Sequence, residues 1–117
     1  MEETSFTAVT WNNGEKHKSG AGFGIKISAL NRDIFFNRKW ETVFLDLEGG
    51  SSSIEVNVDK ESFWNPDCGE LINKEIGLWF MENKIENWQR GKPYGLKLTV
   101  TGVASFAVSI DNSLYSK

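Results

Sequence analysis

The chain has 117 residues and a formal net charge of −3, with 39% hydrophobic and 25% charged residues. These values are typical of one folded domain, so we expect a single domain over 1–117. Aromatic residues make up 13% of the chain, but it has only one histidine and one cysteine. The sequence is rich in groups for a core or a stacking surface. It is poor in groups for proton transfer, thiol chemistry or metal binding.

Composition also limits which classes of binding partner and which cellular compartment are expected. The net negative charge argues against a broad nucleic-acid footprint, which usually carries a basic excess. The lone Cys68 cannot form an intrachain disulfide, which favours a reducing compartment. No apolar run is long enough to span a membrane, and residues 1–10 lack the basic and apolar regions of a signal peptide. We therefore expect a cytoplasmic protein with no membrane partner.

Two stretches near the start of the chain alternate in side-chain character and predict a hairpin. Its strands would cover 5–11 and 22–28, joined by a polar loop. Asn13 and Gly14 favour a turn in that loop, because both residues accept positive φ.

A short helix is expected next, over 29–36. Ser28 can cap its N-terminus, and Leu30, Ile34 and Phe35 would share one face. This segment is too short to be stable as an isolated helix.

The clearest alternation in the chain predicts a second hairpin. Its strands would cover 40–48 and 53–59, joined by a Gly-Gly-Ser-Ser turn. With the turn centred on 50–51, Asp46 would face Glu55, and like charges in opposition destabilise a sheet.

Three explanations for the opposed carboxylates stay open. Lys26 and Lys97, which point outward on other predicted strands, would lie alongside them. Alternatively, the register differs by two residues, or the carboxylates share a cation. No Ca²⁺-loop spacing supports the last of these, so we expect neither a metal nor a cofactor.

A longer amphipathic helix is expected over about 67–82. Asp67 and Glu70 have the spacing of a capping box, and the apolar residues behind them recur at helical intervals. Asn83 suits the end of the helix, because asparagine tolerates the left-handed conformation common there.

The last two predicted strands cover 96–101 and 105–110. The complete order fits an α+β domain. We expect a curved antiparallel sheet or small open barrel of about six strands, with the one main helix packed on it.

The loop over 12–20 is the first candidate binding region. Glycines at three alternating positions follow Lys16, His17 and Lys18, and their backbone amides would be open to a ligand. Neither a Walker loop nor a dinucleotide fingerprint matches, because both need a helix after the glycines. The loop is then either a plain hairpin connection or a site that captures an anion.

The segment 88–94 is the second candidate region. It combines Trp88 and Tyr94 with Arg90 and Lys92, and shows no core periodicity. Such a mixture can stack a ring and hold a phosphate, or form the centre of a protein interface. The alternative is that Trp88 folds under the helix end and the cations are only solvated.

Catalytic chemistry has little support. His17 has no second histidine or cysteine nearby for a transition-metal site, and Ser19 is too close in sequence to be a convincing nucleophile partner. Cys68, expected near the start of the main helix, is interpreted as a structural thiol.

We therefore expect a small, non-catalytic binding module whose partner is an anionic ligand or another protein. The alternatives are nucleic-acid binding by the same loops and, less favoured, a small enzyme using His17 or the carboxylates Asp46 and Glu55. A homodimer also stays open, because the edge strands are not guarded by proline. The expected binding residues are Trp11, Asn12, Lys16, His17, Lys18, Trp88, Arg90, Lys92 and Tyr94.

Overall fold

The computed structural model describes residues 3–50 and 52–111. Seven strands and two α-helices make up the fold, with a short 3-10 turn over Glu61–Trp64. The strands are β1 Ser5–Asn12, β2 Phe23–Ser28, β3 Thr42–Leu47, β4 Ile54–Asn57, β5 Cys68–Ile72, β6 Gly95–Gly102 and β7 Ser105–Ile110. The helices are α1 Ala29–Phe35 and α2 Lys74–Glu82.

All seven strands form one nearly closed, barrel-like sheet. Their order is β4-β3-β7-β6-β1-β2-β5, and neighbours run antiparallel except for the parallel pair β3 and β7. At the opening between the two edge strands, the Asn73 side-chain amide donates to the Glu55 carbonyl over 2.8 Å. The expected α+β, small-barrel class is confirmed, although the sheet is mixed and has seven strands.

The register of the β3–β4 hairpin resolves the question of the opposed carboxylates. Leu45 lies opposite Ile54, and Phe44 lies opposite Glu55, so the pairing is shifted by two residues from the symmetrical turn. The Asp46 carboxylate instead accepts a hydrogen bond from the Ser53 hydroxyl. The shift means that Asp46 and Glu55 are not directly opposite each other, so the structure contains no opposed carboxylate pair at this position.

The main helix begins seven residues later than the sequence pattern predicts. Residues 68–72 form β5, which pairs with β2 with Leu71 opposite Ile25. Gly69 and Leu71 are buried and their neighbours are more exposed, which is the two-residue period of a strand. Asn73 is the true helix cap, since its side chain accepts from the Glu75 amide over 2.8 Å.

The short helix α1 forms where it is expected but buries the opposite face. The Ser28 hydroxyl caps it by accepting from the Asn31 amide. However, Leu30 and Ile34 are 72% and 63% exposed, whereas Arg32 is only 4% exposed. The predicted apolar face is therefore wrong, because the core contacts a face that carries a buried arginine.

Helix α2 closes one end of the barrel and positions the candidate loops. Ile76, Trp79 and Phe80 are buried against the strands, and the Trp79 indole N–H donates to the Glu48 carbonyl over 2.7 Å. The helix ends at Asn83 as expected, although Lys84 is the residue with positive φ. The opposite end is filled by aromatic rings, including the stacked pair Phe36 and Phe106, and both of these rings are buried.

Candidate ligand-binding surface

The first loop, 13–22, is held together by its own hydrogen bonds. The Asn12 and Asn13 side chains accept from the amides of Gly14 and Glu15 over 2.8 and 2.9 Å. The Gly20 amide donates to the His17 carbonyl over 3.0 Å. The prediction that this glycine amide is open is wrong, because the loop itself uses it.

The same loop packs backbone to backbone on α2. Gly20 has a φ of +94°, and a Cβ added to it would lie 2.9 Å from the carbonyl carbon of Lys74. A Cβ added to Gly77 would lie 2.6 Å from the Cα of Gly20. Two glycines are needed here because no side chain fits between the loop and the helix.

Lys16 joins the first loop to the start of the second. Its Nζ donates to the Asn87 side-chain oxygen over 2.8 Å. Beside this bond is a shallow depression of about 260 Å³. It is lined by Lys16, His17, Lys18, Phe23, Met81, Glu86 and Asn87.

The second loop is anchored at its far end to β1. The Tyr94 amide donates to the Thr10 hydroxyl over 3.0 Å, and the Thr10 amide donates to the Tyr94 carbonyl over 2.9 Å. Between these anchors, the Lys92 amide donates to the Gln89 carbonyl and closes a turn. Arg90 and Lys92 are exposed, whereas Trp88 is half-buried.

The expected binding residues therefore divide into three groups, one of which is Trp88, Arg90 and Lys92, which lie in the second loop and do not line the depression. Lys16, His17 and Lys18 lie together at the depression, and Asn87 connects them to the second loop. Trp11 and Asn12 have structural contacts. The Trp11 ring covers Gly24, on the strand opposite, and Asn12 closes the turn at Gly14. Tyr94 packs against the core.

Sequence patterns missed four residues that line the depression: Phe23, Met81, Glu86 and Asn87. They come from β2, from α2 and from the segment after it, and only the packing of α2 against the hairpin brings them together. No local pattern identifies such a set, since each residue has an ordinary role in its own element.

The cations of these loops are not neutralised by neighbours. Within residues 3–50 and 52–111, the one salt bridge joins Arg32 and Asp33. Lys18, Arg90 and Lys92 are exposed, and Glu86 is the one carboxylate lining the depression. The surface can therefore attract a negatively charged group.

The arrangement of His17 does not resemble an activated nucleophile site. Its Nδ1 lies 2.9 Å from the Ser19 hydroxyl and also accepts from the Ser19 amide over 3.2 Å. An effective general base is oriented by a third group, and no carboxylate contacts this ring in the part of the chain that the structure describes. Those residues also contain no group of three or more His, Cys, Asp or Glu side chains suited to a metal ion.

Cys68 begins β5, not a helix, so no helix dipole acts on it. Its thiol donates to the Glu70 carboxylate over 3.2 Å. Burial raises the pKa of the Cys68 thiol, and the hydrogen bond and charge of Glu70 raise it further, against a smaller opposing effect of Lys26. The thiol is therefore protonated at neutral pH and is a weak nucleophile.

Alkylation of Cys68 by iodoacetamide is expected to show a pH midpoint above the ordinary range of a cysteine, about 8.5. Glu70→Gln should lower that midpoint, because it removes the nearby negative charge, whereas Glu61→Gln should leave it unchanged. A wild-type midpoint at or below that of glutathione would contradict this assignment. Folding raises the pKa of Cys68, so its contribution to the free energy of unfolding is fully present at pH values below the pKa of the unfolded state. That contribution is lost as the pH rises through the pKa of the folded state.

No described helix is both long and apolar enough to cross a membrane. Comparison of the chain with protein-family models, with curated proteins and with solved structures finds no match.

Proposed function

We propose that this chain is a non-catalytic binding module that holds an anionic ligand at the surface formed by the loops 12–20 and 88–94, here called the loop surface. The observation that carries the proposal is the bond from Lys16 to Asn87, which joins the first loop to the residue immediately before the second loop, beside the depression. A cytoplasmic location is part of the same proposal.

Charge and shape both support an anionic ligand. Two loops carry Lys16, Lys18, Arg90 and Lys92. The first loop packs on α2, and the second is bonded to β1. Phe23 and Met81 supply an apolar floor to the depression. A pocket with an apolar floor and a few polar groups is the usual form of a small-ligand site. The closed loop backbone means that side chains, not open glycine amides, would make the contacts.

Tryptophan fluorescence offers a direct test, with sodium pyrophosphate, polyglutamate and a short single-stranded thymidine oligonucleotide as titrants at low salt. We expect a saturable change with at least one of them. The double variant Lys16→Gln, Lys18→Gln should weaken binding about tenfold, because each lost charge-assisted contact is worth about 0.5–1 kcal/mol.

The matched control is Lys39→Gln, Lys97→Gln, which removes the same charge from the turn after α1 and from the exposed face of β6. It should bind as the wild type does. Equal loss in both double variants would show a net-charge effect and would remove the loop surface from the proposal. No saturable change with any titrant would overturn the anionic ligand itself.

Nucleic-acid binding by the same loops is the second candidate. In this candidate, the half-buried Trp88 stacks a base while the exposed Arg90 and Lys92 of the same segment contact phosphates. The formal charge of −3 counts against it. Binding of the oligonucleotide that falls steeply with added salt would favour this candidate, because several phosphate contacts release counterions. Preference for pyrophosphate would exclude it.

A further inference from the structure

A second concave region lies on a different face of α2 from the loop surface. It is a groove of about 570 Å³ between that helix and the β3–β4 hairpin. We call it the acidic groove. The turn of the hairpin and the facing side of the helix line it together: Leu47, Gly49, Gly50, Ser52, Ile54, Glu75, Leu78, Trp79 and Glu82. Its volume falls within the range of ordinary ligand sites.

The floor of the acidic groove is apolar and held in place. Leu47 and Trp79 are 8% and 3% exposed, and the Trp79 indole N–H is bonded to the Glu48 carbonyl over 2.7 Å. Ile54 and Leu78 are half-buried and complete the apolar surface. This surface is formed before any partner arrives, which lowers the ordering cost of binding.

The rim of the groove carries two carboxylates without partners. Among the described residues, the side chains of Glu75 and Glu82 form no salt bridge and no hydrogen bond, and both are exposed. They lie seven residues apart on α2, with Leu78 between them. At a rise of 1.5 Å per residue, the two positions are about 10 Å apart along the helix axis. Along the helix, this side of α2 therefore presents a carboxylate, then an apolar side chain, then a second carboxylate.

We propose that the acidic groove docks an extended basic segment of a partner protein, in which one apolar side chain lies between two lysines or arginines. The charge complementarity of the rim selects a cationic partner, and the apolar floor selects an apolar anchor. In an extended chain, residues three apart are separated by about 10 Å, which matches the spacing of the two carboxylates, although their side chains leave opposite faces of the backbone. The long lysine stem allows both cations to turn toward the rim.

The test is a ¹⁵N heteronuclear NMR titration with the peptide acetyl-Gly-Lys-Leu-Ser-Lys-Gly-amide at low salt. We expect saturable shifts of the amides of Leu47, Leu78 and Glu82 and of the Trp79 indole N–H. Replacing both lysines of the peptide by glutamine, or its leucine by serine, should abolish these shifts. Added salt should weaken binding, because the rim charges are exposed and screened.

Two protein variants complete the test. The double variant Glu75→Gln, Glu82→Gln should bind the peptide about fivefold more weakly than the wild type does, because two exposed charge contacts are lost. Glu41→Gln, Glu61→Gln removes the same charge elsewhere and should bind the peptide as the wild type does. Lys16→Gln, Lys18→Gln should also bind it normally, which separates this site from the loop surface.

Absence of saturable shifts in the groove, or equal binding by the Glu75 and Glu82 double variant, would overturn the proposal. Groove signals that shift with protein concentration alone would show that a second copy of the chain occupies it, and the assignment to a peptide partner would then be wrong. The fold of each variant is checked in the same spectra.

Discussion

Gly77→Ala is expected to lower the free energy of unfolding by about 3 kcal/mol, although alanine is normally the better helix former by about 1 kcal/mol. The new Cβ would lie 2.6 and 2.7 Å from the Cα and carbonyl carbon of Gly20. Both contacts are with backbone, so no side-chain rotation relieves them. The loop 13–22 must move away from α2, and its own hydrogen bonds, such as that from the Gly20 amide to the His17 carbonyl, oppose this movement.

Thermal unfolding followed by circular dichroism measures this effect, with an expected fall in Tm of about 10 °C. Gly102→Ala is the matched control. A Cβ there meets only the Ser105 Cβ, at 3.8 Å, so stability should change by less than about 0.5 kcal/mol. A Gly77→Ala variant as stable as the wild type would show that the loop does not pack on the helix as described.

Arg32→Met is expected to destabilise the fold by about 3 kcal/mol. The Arg32 guanidinium is 4% exposed and donates to the carbonyls of Phe63 and Asn65. Methionine preserves much of the apolar stem but leaves both carbonyl oxygens without this donor, and each unsatisfied buried group costs about 1–3 kcal/mol. The ion pair with Asp33 contributes little, because that carboxylate is 63% exposed.

Arg38→Met provides a close control for this variant. The guanidinium of Arg38 lies 4.8 Å from the centroid of the Trp64 ring, and that of Arg32 lies 5.2 Å from it. Arg38 is exposed, so its loss should cost about 0.5 kcal/mol. Urea unfolding compares the two variants. Equal, small losses would mean that the buried hydrogen bonds of Arg32 do not stabilise the 61–66 segment.

The strands could be predicted wherever one face of the strand is buried and the other is exposed to solvent. In β3, Val43, Leu45 and Leu47 are buried and the residues between them are exposed, which is the alternation seen in the sequence. The segment 68–72 misled the prediction for a physical reason. Leu71 and Ile72 have spacings to Ile76 and Trp79 that also fit a helix, and only pairing with β2 decides that 68–72 is extended.

The face of α1 shows a second limit of pattern reasoning. Leu30 and Ile34 have the spacing of a buried stripe, yet they face outward, because the neighbouring carbonyls of the 61–66 segment need the guanidinium of Arg32. An apolar period indicates which residues share a face. It does not indicate which face meets the core when a buried polar contact competes.

For the loop surface, the residue types were visible in the sequence but their grouping was not. Lys16, His17 and Lys18 are consecutive and stand out in a polar loop. Their proximity to Asn87 depends on a contact across 71 residues of chain and on the close approach of Gly20 to Gly77. The register of β3 and β4, shifted by two residues, likewise removed the carboxylate pair that a symmetrical turn would create.

The sequence by itself determined the class of fold, most strand positions, the cap at Ser28 and the shortage of groups for acid–base or metal chemistry. These features depend on local periodicity, on turn chemistry and on composition, which need no partner segment. Tertiary structure alone decided the start of α2, the strand register, the outward face of α1 and the two concave surfaces on either side of α2. Each of these depends on contacts between distant segments, and their free energy outweighs local preference.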